Sequence, residues 1–67
     1  MATLTTDQQS VVNERDELSP KLQRLKNFVQ SPAFAALAND EKERQTRQVW
    51  VMGLYLNVLN ERIAAFS

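Results

Sequence analysis

Arg44, Arg47, Tyr55 and Arg62 are spaced to fall on one side of a single helix, together with Val51 and Val58. Guanidinium forks beside an aromatic ring suit two tasks. One is anchoring a protein surface, where Arg, Tyr and Trp dominate the binding energy. The other is holding a small anion such as a nucleotide, through bidentate arginine hydrogen bonds and stacking on the ring. A plainer role also fits: Arg44 and Arg47 pair with carboxylates of a neighbouring helix, and Tyr55 packs within an oligomer. Trp50 falls apart from these residues, beside Thr46, Gly53 and Asn57. It is either a binding hot spot or a cover laid across a first helix near Lys21 or Arg24, as a cation–π contact.

Catalytic chemistry is hard to assemble here. The chain has no histidine and no cysteine, so the common nucleophile–base pairs are missing. Asp40, Glu41 and Glu43 are a conceivable Mg²⁺ set, but helix capping and compensation of the helix dipole account for all three. One glycine cannot build a phosphate-cradling loop. The expectation is therefore a binding protein without enzyme activity, cofactor or metal.

The eight basic and eight acidic residues balance to a formal charge of zero. That argues against a DNA binder, which works through counterion release and needs a basic face. The N-terminus Met1-Ala2-Thr3-Leu4-Thr5-Thr6-Asp7 has neither a basic nor an apolar signal region. The longest apolar stretch, from Val49 to Leu59, is interrupted by Asn57, and spanning a bilayer takes about 20 apolar residues. No membrane partner is expected, and the location expected is cytosolic.

The elements that must position these residues follow from apolar spacing. Residues 1–6 read as a disordered tail. From about residue 7 to 30, Val11, Leu18, Leu22, Leu25 and Val29 recur at intervals of 7, 4, 3 and 4, a heptad seam with Arg15 at a position that should be apolar. Pro20 allows either a new helix capped by Ser19 or one helix that kinks; the seam keeps its phase, which favours one helix. Ser31-Pro32 predicts a short helical turn over 32–37, with Phe34 and Leu37 closing the end of a hairpin. A second helix over about 40–65, opened by an Asp40/Glu43 capping box, carries the seam Gln45, Val49, Met52, Leu56, Leu59, Ile63 and Phe66. The fold class is all-α: an antiparallel two-helix hairpin assembling as an oligomer.

Oligomerisation is inferred from surplus apolar surface. At about 100° per residue, Val51, Leu54, Tyr55 and Val58 form a second stripe roughly 110° from the seam. A lone hairpin covers one stripe per helix, and soluble monomers rarely expose a second. A domain of 67 residues with no disulfide or zinc site has oligomerisation as its remaining source of stability. Gly53, mid-helix, suggests close backbone approach by another element.

The stretches Leu22-x-x-Leu25-x-x-Phe28-Val29-x-Ser31-x-x-Phe34-x-x-Leu37 and Gln48-x-x-x-Met52-x-x-Tyr55-x-x-Val58-Leu59-x-x-Arg62-Ile63 resemble small helical-hairpin accessory proteins of phages and prophages. Pro20 and Trp50 depart from that pattern. The resemblance implies a protein in the bacterial host cytosol that blocks a host or defence protein by stoichiometric binding. Some small phage proteins instead oligomerise and sequester cyclic-nucleotide signals. Two functions are therefore carried forward. The first is an oligomeric protein that binds a bacterial protein through Arg44, Arg47, Trp50, Val51, Leu54, Tyr55, Val58 and Arg62. The second is an oligomeric sponge for a small anionic nucleotide, with Arg44, Arg47 and Tyr55 lining pockets between protomers.

Overall fold

In the computed structural model, residues 3–66 are described. They form α1 (Thr6–Phe28), α2 (Pro32–Ala35) and α3 (Asn39–Ala64). α1 and α3 pack side by side along their length, giving an antiparallel hairpin of 50 × 15 × 14 Å.

Each helix start has a local cause. Thr5 caps α1: its Oγ1 accepts from the Gln8 amide at 3.1 Å, and the Gln8 side chain accepts from the Thr5 amide at 3.0 Å. This reciprocal capping box corrects the expected tail, because Thr5 is a cap and Thr6 is already helical. Met1 and Ala2, the rest of that tail, lie outside the described residues. α1 runs unbroken through Pro20, where both Pro20 and Asp16, whose carbonyl the proline frees, are exposed. Water can satisfy that carbonyl, so the helix continues as the seam's phase required.

α1 ends at Phe28, two residues short of expectation, because Ser31 redirects the chain. Its hydroxyl donates to the Phe28 carbonyl at 2.6 Å and accepts from the Phe34 amide at 3.3 Å. Pro32 then takes the first position of α2, where a missing N–H costs nothing. Phe34 meets Phe28 edge to face with ring centroids 6.2 Å apart. Leu37 is half-buried, so the connection does plug the hairpin end.

The start of α3 differs from expectation. Ala38 is the cap residue and supplies no side-chain hydrogen bond. Because the helix begins one residue earlier, Asp40 lies inside the first turn, where its Oδ1 accepts from the Glu41 amide at 3.0 Å. The Asp40/Glu43 capping box therefore does not form, and the dipole compensation by Asp40 and Glu41 remains.

The core is thin. Val11, Leu22 and Leu59 are buried, flanked by half-buried Leu18, Leu25, Val29, Val49, Met52, Leu56 and Ile63. Arg15 keeps its seam position by turning polar: Nη1 donates to Asn60 Oδ1 at 3.2 Å across the hairpin, and Nε bonds Asp16 at 2.7 Å. The molecule exposes 5074 Å², against about 4,300 Å² for a compact monomer of this mass. Among the described residues no helix is long and apolar enough to cross a membrane.

Candidate ligand groove and apolar face

Along one side of the hairpin the two helices leave an open groove of about 370 Å³, within the range of small-molecule sites. α1 contributes Leu22 and Lys26. α3 contributes Val49, Trp50, Gly53, Leu54, Leu56 and Asn57. The floor is apolar, from the seam residues Leu22, Val49 and Leu56. Lys26, Trp50 and Asn57 add a cation, an indole and a carboxamide to its lining. Gly53 borders open space: a Cβ placed there meets nothing within 4 Å.

Close backbone approach at Gly53, expected from its place in mid-helix, does not come from the described residues of this chain. Nothing within the chain presses on it; the missing side chain leaves space instead. Trp50 does turn away from the main stripe, toward Gly53 and Asn57, as its spacing implied. Its neighbours across the groove are Leu22 and Lys26 rather than Lys21 or Arg24, since one residue on α1 is a rotation of about 100°. The indole does not lie flat as a cover, for 67% of the residue's surface is exposed.

Beyond Trp50 the apolar surface continues around α3. Val51, Leu54, Tyr55 and Val58 are 63%, 64%, 43% and 49% exposed. With Trp50 they make one continuous band, because Leu54 belongs both to the groove wall and to the band. The second stripe read from the sequence is thus unpartnered within the chain.

The arginines are placed differently from one another. Arg44 Nε bonds Glu41 Oε1 at 2.8 Å, and Nη1 lies 3.7 Å from Asp40 Oδ2. Arg47 Nη2 lies 3.7 Å from Glu43 Oε1. Both therefore pair along α3 itself, at three- and four-residue spacing, and not with carboxylates of the neighbouring helix. Arg62 takes part in none of the described ion pairs. Arg44 and Tyr55 stand eleven residues apart, about 16 Å along the axis, so a single chain cannot bring them to one small ligand. Bonds from Gln45 and Arg44 hold the Glu41 carboxyl below its ordinary range. No group of three or more acidic residues is arranged to hold a metal ion among the described residues.

Lys26 and Asn57 are the site residues that sequence reasoning missed. Lys26 reads as one cation on a solvated face, and Asn57 as an interruption of an apolar run. The available signal was the shared wheel position of Trp50, Gly53 and Asn57. The Sequestin family model matches residues 5–65, which spans α1, α2, α3 and every residue of the groove. The chain belongs to the Sequestin family. No curated protein and no solved structure matches it. The features described above are thus those of one Sequestin chain.

Proposed function

We propose that this protein sequesters a small anionic nucleotide by stoichiometric binding, without turning it over. The groove beside Trp50 carries this reading. It is small-molecule in size, has an apolar floor, and presents a stacking ring, a cation and a hydrogen-bonding amide over one opening. A base stacks on Trp50, the Lys26 ammonium faces phosphate, and Asn57 offers both donor and acceptor to a base edge. The description Sequestin agrees with capture rather than catalysis, and the absence of histidine and cysteine agrees with a non-enzyme.

Self-association belongs to the same proposal, with the band of Val51, Leu54, Tyr55 and Val58 as its surface. So does the setting implied by the resemblance: a phage or prophage protein in the bacterial cytosol, acting against host defence signalling. A protein target is the second reading, favoured by the same exposed band, since a face of large apolar residues suits a macromolecular contact.

Calorimetry and Trp50 fluorescence with mononucleotides and with linear and cyclic di- and trinucleotides test the proposal. The expected result is saturable quenching at a fixed stoichiometry, with the nucleotide recovered intact after heat denaturation. Stacking on an aromatic ring contributes about 1–3 kcal/mol per base, so Trp50→Ala should weaken binding roughly 5- to 150-fold. Absence of heat and of quenching across the panel at tens of micromolar overturns the nucleotide reading. Recovery of a bacterial protein on the intact band would then support the second.

A further inference from the structure

Arg15 stands where the heptad pattern calls for an apolar side chain, and only 33% of its side chain is exposed. Its Nη1 donates to Asn60 Oδ1 at 3.2 Å. Among the described residues this is the one side-chain hydrogen bond that joins α1 to α3. The others link residues at most four apart along the chain.

The apolar seams alone leave the register of the hairpin open. Intervals of 3 and 4 residues repeat on both helices. Sliding α1 along α3 by one turn, about 5.4 Å, therefore sets apolar rows against apolar rows again. Such one-turn steps are an established mode of helix movement. The connection does not forbid them. Residues 29–38 join the helices and reach about 33 Å when extended, several times the step. The bonds of Ser31 with Phe28 and Phe34 are local. The polar seam position at that end does not hold the register either: Gln45 bonds Glu41 on its own helix, and its Oε1 has no partner.

Arg15 separates the registers. In the observed one it meets Asn60. One turn in either direction sets it against Leu56 or Ile63, seam residues of α3 whose side chains carry no acceptor. Its second bond, from Nε to Asp16 at 2.7 Å, lies within α1 and is the same in every register. A single polar residue on an apolar seam selects register in this way, at a cost in stability. The observed register is also the one that brings Lys26 to the same groove as Trp50. Lys26 is eleven residues from Arg15, about 16 Å along α1, and Arg15 does not line the groove.

We infer that Arg15 is a positioning residue: with Asn60 it selects, among the registers that the apolar seams accept, the one that sets Lys26 opposite Trp50. Its service to a nucleotide rests on the function proposed above; the selection of register does not.

The chain has one tryptophan and no cysteine, so register can be read directly. Lys26→Cys carrying a nitroxide should quench Trp50 strongly, because nitroxides quench at near contact. Adding Arg15→Leu should lower that quenching by about half or more as slipped registers fill. Helical circular dichroism and melting temperature should be retained, since leucine completes the seam. Adding Arg15→Lys instead, which can still donate to Asn60, should keep the quenching. In the unlabelled protein Arg15→Leu should weaken nucleotide binding by the same factor, because apparent affinity scales with the competent fraction.

Quenching undiminished by Arg15→Leu overturns the inference. So does a loss of helix or a lower melting temperature in that variant, for Arg15 then supports the fold itself. An equal loss of quenching in Arg15→Lys overturns it as well. Should quenching fall as described while nucleotide affinity holds, the selection of register stands and the nucleotide lies elsewhere than between Lys26 and Trp50. Should quenching fall as described and neither protein bind nucleotide, the selection of register stands and the functional proposal falls.

Discussion

Gln45 occupies a seam position of α3 where an apolar residue would be ordinary. Its Nε2 donates to Glu41 Oε2 at 3.0 Å, while its Oε1 is buried without a hydrogen-bond partner. An unsatisfied buried acceptor costs about 1–3 kcal/mol, and a single part-buried bond to Glu41 returns about 1 kcal/mol. Gln45→Met keeps the length, removes the stranded oxygen and should raise stability by about 1 kcal/mol. That corresponds to roughly 4–8 °C in the melting temperature of a domain this small; an unchanged or lower temperature would mean the oxygen is satisfied in solution. Glu41 gives a prediction in pH. Hydrogen bonds from Gln45 and Arg44 lower its pKa below 4.5, so the folded state holds the ionised form more tightly than the unfolded chain does. The contribution is complete above the ordinary carboxylate range and is lost as pH falls through the lowered value. Melting curves at pH 7 and at acid pH should therefore show a smaller acid-induced drop for Glu41→Gln than for the natural chain. The sequence shows both residues in position, one on the seam and one in the first turn. It does not show the side-chain torsion that strands Gln45 Oε1.

At the scale of elements, the two seams were legible because their apolar spacing keeps its phase across the polar positions Arg15 and Gln45, and the all-helical hairpin follows from them. Helix ends were less so. Thr5 and Gln8 form a cap at a spacing that Asp40 and Glu43 share without forming one, and the difference is one residue in where the preceding chain turns. The groove was not legible, since it arises between helices from the rotation of α1 against α3, which brings Lys26 opposite Trp50. Two substitutions separate backbone cost from function. Pro20 sits exposed inside α1, and a mid-helix proline costs about 3 kcal/mol relative to alanine. Pro20→Ala should recover a large part of that as a higher melting temperature, with nucleotide affinity unchanged because Pro20 does not line the groove. Gly53→Ala should also stabilise, by about 1 kcal/mol, since its methyl meets no neighbour within 4 Å. That methyl enters the groove, however, so affinity should fall as the melting temperature rises. A parallel gain in both would show that the space at Gly53 serves no ligand.

At the scale of the whole molecule, the thin core and the bare band bear on the same question. Three buried side chains, Val11, Leu22 and Leu59, anchor a hairpin that exposes five large apolar residues along α3. This imbalance was readable from the sequence alone, because the arc occupied by Val51, Leu54, Tyr55 and Val58 cannot face α1 while the seam does. If copies associate through the band, unfolding and dissociation are coupled, and stability depends on protein concentration by mass action. A tenfold dilution then removes about 1.4 kcal/mol per dimer, which lowers the melting temperature by roughly 5 °C for a unit of this combined size. A chain folding alone shows no such dependence. The dependence should vanish in Val58→Glu, whose melting temperature should match that of the natural chain extrapolated to high dilution. Saturating nucleotide should raise the melting temperature of the natural dimer and reduce its sensitivity to dilution, since each bound ligand holds both copies. A nucleotide that raised the melting temperature equally at all dilutions, with the slope unchanged, would place its site wholly within one chain.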